Sequence, residues 1–212
     1  MTVTAQLSIS LDGFLAGPRP SLDDPLGQGG MQLHEWAFRL AAWRGPHGLE
    51  GGETGPDSAL VERDLAANGS FVMGRKMFSG GAGAWEDDPN ATGWWGDEPP
   101  YHAPVFVVTH HARERLDLQG GTSFTFVTDG VASAVEQARA AADGKNVSIA
   151  GGADVVQQCL ALGLLDELTV HVAPLFLGGG TRLFEHVPPG RLEILEVVDV
   201  PSATHVRYAV TR

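Results

Sequence analysis

The chain has 212 residues and a formal charge of −12, with 43% apolar and 19% charged residues. That balance suits a folded protein with a substantial core and excludes a disordered chain. The acidic balance also excludes a general binder of nucleic acid or anionic membranes, whose phosphates it would repel.

A single cysteine, Cys159, leaves no internal disulfide and no thiolate-rich zinc site. No amino-terminal apolar segment follows a basic region, and no run approaches the roughly 20 apolar residues of a membrane span. The expectation is a cytoplasmic protein.

Val3 to Ser10 alternates as a strand, with Val3, Ala5, Leu7 and Ile9 on one side. Asp12-Gly13 turns the chain into a loop rich in turn formers. Residues 31–43 carry Leu33, Trp36, Ala37, Leu40 and Trp43 at helical spacing, and a Gly-rich loop over 44–56 leads to a helix at about 57–67. Ser70–Met73 reads as a strand and Arg75–Phe78 as a short helix. Residues 79–103 read as a long surface loop whose Trp85, Trp94 and Trp95 either cover a pocket or a partner surface or form the core of a locally packed loop.

Residues 104–109 form a continuous apolar run, the mark of a strand buried on both faces. Ser123–Val127 is another strand, and Asp129 is placed to cap a helix whose stripe is Val131, Ala134, Val135 and Ala138. Val147–Ala150 is a buried strand. A helix over 153–162 follows it and stops at Gly163. Cys159 falls on that helix's stripe with Val155 and Val156, as a buried structural thiol would. Leu168–Ala173 is a strand, and residues 192–200 and 204–211 flank Pro201-Ser202-Ala203 as a closing hairpin. The pattern predicts one α/β domain over 1–212: three layers, with a mixed, mostly parallel central sheet flanked by helices and a C-terminal antiparallel hairpin.

Two strand-to-helix turns carry glycine, at Gly74-Arg75-Lys76 and at Ala150-Gly151-Gly152-Ala153-Asp154. A helix start offers unpaired N–H groups and partial positive charge, and glycine lets a phosphate approach them. Both turns lie at carboxyl ends of strands, where open α/β sheets bind ligands. A diphosphate spanning the two would find counter-charge in Arg75 and Lys76. His110 and Arg113, past another buried strand at Thr109, supply the cation that an adenosine 2′-phosphate needs, which favours NADPH over NADH. Neither turn is G-x-G-x-x-G, which argues against an ordinary Rossmann dehydrogenase. The eight histidines form no metal signature, and no serine sits in G-x-S-x-G.

Five stretches in order resemble the dihydrofolate-reductase-like family, which includes the reductase domain of bacterial riboflavin biosynthesis. They are residues 10–16 (SLDGFLA), 72–76 (VMGRK), 107–110 (VVTH), 149–153 (IAGGA) and 168–174 (LTVHVAP) with 178–184 (GGGTRLF). The resemblance implies NADPH across the carboxyl edge of the sheet. Gly74-Arg75-Lys76 and Thr109-His110 would hold the adenosine phosphate half, Gly151, Gly152, Ala153 and Asp154 the pyrophosphate, and Leu15-Ala16-Gly17 would border the nicotinamide. It also implies a homodimer. Glu35 does not fall at the position of the folate reductases' carboxylate, so folate reduction is not expected. Met77 stands where many relatives have threonine.

On the substrate side, Asp12 is the candidate for orientation or protonation and His171 the second candidate, with a satisfied core histidine as the other reading. Trp36 either stacks on a flat heterocycle or belongs to the core. The expected function is NADPH-dependent hydride transfer to a carbonyl or imine of a small heterocycle resembling a pteridine or ribosylaminopyrimidine. The alternative is a catalytically silent nucleotide-binding module of the same fold. A flavin or deazaflavin in place of NADPH would copurify as a chromophore.

Overall fold

The computed structural model describes residues 1–81 and 83–211. The strands are β1 (Val3–Ser10), β2 (Phe14–Ala16), β3 (Asn68–Gly74), β4 (Pro104–Val108), β5 (Leu116–Asp117), β6 (Ser123–Val127), β7 (Asn146–Gly151), β8 (Glu167–Ala173), β9 (Thr181–Arg182), β10 (Arg191–Val200) and β11 (Ala203–Thr211). The helices are α1 (Glu35–Phe38), α2 (Ala41–Arg44), α3 (Pro56–Ala67), α4 (Arg75–Ser79), α5 (Val131–Ala141) and α6 (Ala153–Ala161). Nine strands form one sheet in the order β10-β11-β8-β1-β7-β3-β4-β6-β5, and β2 pairs with β9 in a small second sheet. The strands from β8 through β6 run parallel to one another, while the β10–β11 hairpin and β5 are antiparallel edges.

The two faces of the sheet differ because the strands alternate differently. Val3, Ala5, Leu7 and Ile9 of β1 share one face with Val147, Ile149, Leu168 and Val170. The stripes of α5 (Val131, Ala134, Val135, Ala138) and α6 (Val155, Val156, Cys159) close over it. The opposite face holds two separate apolar patches. Phe71, Met73, Val105, Val107 and Phe124 pack around Phe78 of α4 under one end, and Trp36, Ala37, Leu40 and Ala203 pack under the other. Buried polar residues, among them Ser8, Ser148, Thr169 and His171, lie on the strands that run between these patches.

Two local expectations are corrected. Residues 31–43 are not one helix: a 3-10 turn over Gly30–His34 leads into α1, and the chain then extends at Leu40 (φ −77°, ψ 140°) before α2. Leu40 forms a strand-like bridge with Glu53, and Ala41 N–H donates to the Glu53 carbonyl at 2.9 Å. That tertiary pairing outcompetes helical propensity while leaving Leu33, Trp36, Ala37 and Leu40 buried. Asp129 does not cap α5: Gly130 is the cap, at a φ of 90° that glycine adopts freely, and no side chain bonds the helix start. The described part of 79–103 is a loop with exposed residues such as Glu86, Asp87 and Asp97, and of the readings of its tryptophans the local core holds. Trp94 Nε1 donates to the Met77 carbonyl at 2.9 Å, and Trp85 Nε1 to that of His111 at 2.8 Å. Trp95 stacks on Phe124, and Trp85 meets Phe126 edge-on. The tryptophans form a local core over β4 and β6.

Phe78 is the hub of this aromatic layer, with ring centroids of Phe124 and Phe126 at 5.0 and 5.2 Å. Phe78→Ala is expected to lower stability by about 3–5 kcal/mol, the usual cost of emptying a fully buried aromatic position. Urea denaturation checks this, and a loss under about 1 kcal/mol would contradict the packing described.

Candidate functional site: the carboxyl edge of the parallel sheet

Register brings the two glycine turns together. Met73 pairs with Gly151 and Gly74 with Val108, so the carboxyl ends of β7, β3 and β4 lie side by side. A Cβ added at Gly74 would stand 3.1 Å from Val155 Cγ2 and 3.8 Å from Gly152 N, so glycine here lets the end of β3 approach the start of α6. Gly151 has a φ of 127°, which L side chains rarely adopt, and its peptide bond to Gly152 is cis. Gly152 differs: its φ is −74° and a Cβ there would meet nothing within 4 Å. Neither its conformation nor packing demands a bare residue, so Gly152 leaves open space in front of α6. No side chain caps that helix, and its first-turn amides have no partner within the helix. This cradle fits a diphosphate group. Asp154 is exposed there, and its carboxylate accepts Gln158 Nε2 at 2.9 Å.

The cations are not arranged as expected. Arg75 is only 7% exposed and turns away from the groove. Its Nη2 lies 2.5 Å from Asp88 Oδ2, it donates to Ser79 Oγ, and its guanidinium sits 3.5 Å from the Trp85 ring centroid. Burial opposes ionisation of Asp88. Hydrogen bonds from Ser79 and the Asn90 amide, with the Arg75 charge, outweigh it and hold the carboxyl below its ordinary value. Lys76 and His110 remain exposed. Arg113 is half-buried over the Trp85 and Phe126 rings and donates to the Ala91 carbonyl. Burial, then the neighbouring Arg75 charge, lowers its pKa. The Thr109 side chain closes its own turn, accepting His111 N–H at 3.1 Å.

On the other side of the β7 edge, Leu15 and Ala16 belong to β2, which is pinned to β9. Gly17 N–H donates to the Leu26 carbonyl at 2.7 Å, and a Cβ on Gly17 would collide with the Gln28 carbonyl. Asp12 ties a neighbouring loop: Oδ1 accepts Leu177 N–H at 3.1 Å and Oδ2 accepts Gly178 N–H at 2.8 Å. The Ser10 hydroxyl and these amides hold its pKa below the ordinary value. The structure gives Asp12 the task of a loop clamp.

His171 is buried in a row set by strand register, opposite Ser8 of β1 and His205 of β11. His171 Nδ1 and His205 Nδ1 are 2.8 Å apart. One nitrogen donates and the other accepts, which two neutral rings do as opposite tautomers. Trp36 roofs the row, with ring centroids 4.6 and 4.7 Å from the two imidazoles and Nε1 donating to Ser8 Oγ at 3.0 Å. Burial, followed by the His205 and His34 charges, pushes His171 down to about 3. Burial also lowers His205, against the pull of Asp57.

Beside Trp36 opens a cavity of about 510 Å³, walled by Glu35, Arg39, Glu53, Asp57 and Pro174 among others. His205, Asp57 and Asp88 were not singled out from sequence. Only the spacing of buried positions in β11 could have pointed to His205. Among the described residues no group of three or more His, Cys, Asp or Glu could hold a metal ion. No helix there is long and apolar enough to cross a membrane. Burial raises the Cys159 thiol to about 12, so it packs and does not react.

The histidine pair has a consequence for acid stability. Below 6.5, the ordinary histidine value, the unfolded chain takes up protons that the buried His171 ring resists, and His205 shifts in the same direction. Stability is therefore greatest above that pH and falls as pH drops from there towards 3, by up to about 1.4 kcal/mol per pH unit for His171, with His205 adding in the same direction. Urea midpoints at pH 7.5, 6 and 5 check this. Constant stability across that span would show that the pair already carries protons in the fold.

Known proteins place the architecture. A protein of Shewanella sp. PV-4 named for riboflavin biosynthesis aligns with TM-score 0.64 and 21% identity, covering 100% of both chains. A pyrimidine reductase-like protein of Corynebacterium diphtheriae aligns at 0.55 and 16%, covering 100% of this chain and 92% of its own. The diaminohydroxyphosphoribosylaminopyrimidine deaminase/5-amino-6-(5-phosphoribosylamino)uracil reductase of Thermotoga maritima aligns at 0.56 and 14%, covering 99% of this chain and 56% of its own. No curated protein matches the sequence. The sheet order and these alignments give the dihydrofolate-reductase-like α/β fold. The model of the RibD C-terminal domain matches residues 1–206, and the chain belongs to that family of riboflavin-biosynthesis reductases.

Proposed function

We propose that the protein is a reductase that binds a reduced nicotinamide dinucleotide, NADPH in the first instance, along the β7–β3–β4 edge and reduces a carbonyl or imine of a small aminopyrimidine- or pteridine-like heterocycle. The observation that carries this is the uncapped start of α6 behind Gly152, where neither packing nor backbone conformation demands a glycine. Membership of the family and the names of the pyrimidine reductases with this fold support it. The nicotinamide supplies the hydride when bound.

The chain's own part is placement. Amides of Gly152, Ala153 and Asp154 receive the diphosphate, with Ala150 and Gly151 shaping the turn. Gly74 keeps the neighbouring strand end bare. Lys76, His110 and Arg113 furnish positive charge to the adenosine end, with Thr109 fixing the turn that carries His110. Leu15, Ala16 and Gly17, held by β9 and Leu26, wall the nicotinamide end and exclude water. The cavity beside Trp36 takes the heterocycle, whose amino groups donate to carboxylates such as Glu35 and Asp57.

A homodimer belongs to the same reading. The outer strand β10 leaves Leu192, Ile194 and Val197 exposed, Ile194 by 62%, as a surface for a second copy. We place the protein in the cytoplasm. One observation favours the catalytically silent module instead: both Asp12 oxygens are already engaged, so the candidate acid is committed to a loop.

Titration of tryptophan fluorescence with NADPH and NADH separates these readings from a chain that binds neither. Saturable binding with NADPH oxidation by an aminopyrimidine or pteridine carbonyl establishes the reductase, and binding without turnover across such a panel establishes the module. Gly152→Ala is expected to keep the far-ultraviolet circular dichroism of the parent yet weaken the dinucleotide about tenfold or more, equivalent to roughly 1.4 kcal/mol. Unchanged affinity would remove the α6 start from the site.

A further inference from the structure

The pairing of Arg75 with Asp88 bears on which dinucleotide the edge prefers. Residue 75 follows Gly74, whose own Cβ position lies 3.8 Å from Gly152 N. A guanidinium there that faced outward would stand next to exposed Lys76, at the adenosine end of the proposed dinucleotide groove. It does not face outward. Asp88 is anchored independently of it, with Oδ2 accepting Ser79 Oγ–H at 2.6 Å and Oδ1 accepting Asn90 N–H at 2.9 Å. Asn90 Nδ2 in turn donates to the Ser79 carbonyl at 3.2 Å. The carboxylate is a fixed internal anion, and the Trp85 ring lies over the guanidinium it holds. The fit is incomplete: Arg75 Nε and Nη2 are both buried without a hydrogen bond among the described residues, Nη2 meeting Asp88 as an ion pair. Arg113 shares the same ring and, among the described residues, forms no ion pair, so two guanidinia stand beside one carboxylate.

We propose that Asp88 sets dinucleotide selectivity by standing in for a phosphate on Arg75. With that cation occupied, discrimination between the 2′-phosphorylated and unphosphorylated forms falls to Lys76, His110 and Arg113 and is weak. Removing the charge at residue 88 frees Arg75 for the phosphorylated form. The inference rests on the reductase reading and assigns a selectivity role within it to a residue that touches no ligand.

The test is the ratio of Kd for NADH to Kd for NADPH in four proteins: parent, Asp88→Asn, Arg75→Ala and the double variant. Asp88→Asn keeps the shape of the side chain and, through its one acceptor oxygen, the bond from Asn90 N–H, while its NH2 group makes Ser79 Oγ an acceptor in place of a donor. It is expected to move the ratio towards NADPH on the order of tenfold, the lower end for a charge-assisted hydrogen bond, with NADH affinity held within about twofold. Arg75→Ala alone should leave the ratio within about twofold of the parent, and in the double variant it should erase the gain. Thermal midpoints identify any variant that fails to fold, and the Arg75→Ala arm then still decides. A large, NADPH-specific loss in Arg75→Ala would show that Arg75 already reads the phosphate and overturns the proposal, as does an unmoved ratio in a folded Asp88→Asn protein. If the parent binds neither dinucleotide, the reductase reading falls and the inference with it.

Discussion

The functional architecture depends on one constraint: the parallel register that sets the carboxyl ends of β7, β3 and β4 level with one another. Backbone hydrogen bonding between Met73 and Gly151 and between Gly74 and Val108 turns three separate loops into one edge. A one-residue slip in a parallel pair would swap the faces of every side chain and separate Gly74 from the start of α6. Because β7, β3 and β4 are buried on both faces, the apolar load of Phe71, Met73, Val105, Val107 and Ile149 fixes that register. The same burial that stabilises the sheet therefore positions the helix start.

The two faces of the sheet divide the remaining labour. One is uniformly apolar and carries α5 and α6, so the helix behind Gly152 rests on a rigid base. The other is broken into patches by polar residues of the central strands, and there Trp36 closes over Ser8, His171 and His205. A neutral imidazole pair between strands is a costly thing to bury unless each ring satisfies the other. The 2.8 Å contact does so at one nitrogen, while His205 Nε2 remains without a partner. This segment is polar inside a roof of aromatic carbon, next to the cavity that we assign to the heterocycle.

Much of this was legible from the chain because it is encoded by short-range periodicity. The alternation of Val3, Ala5, Leu7 and Ile9, the apolar runs of β4 and β7, and the stripes of α5 and α6 each follow from a single element's repeat. The glycine turns were legible for the same reason, being local to a strand end. What escaped depends on pairs far apart in sequence. Leu40 leaves the helix because Glu53 offers a bridge, which no helical pattern over 31–43 records. Arg75 turns inward because a loop brings Asp88 beneath it, 13 positions along the chain. Asp12 sits in an Asp-Gly turn that needs no partner, so its clamp on Leu177 and Gly178 is visible only once the fold closes. Side-chain charge marks where a cation stands in the sequence and leaves open which anion it meets.

Amide hydrogen exchange with and without reduced dinucleotide tests the central claim most directly, because it reads the backbone that is proposed to hold the phosphates. Slowed exchange in both residues 74–77 and residues 152–155, two segments brought together by the register of β3 and β7, is the predicted result. Protection elsewhere with these two segments unchanged would contradict it.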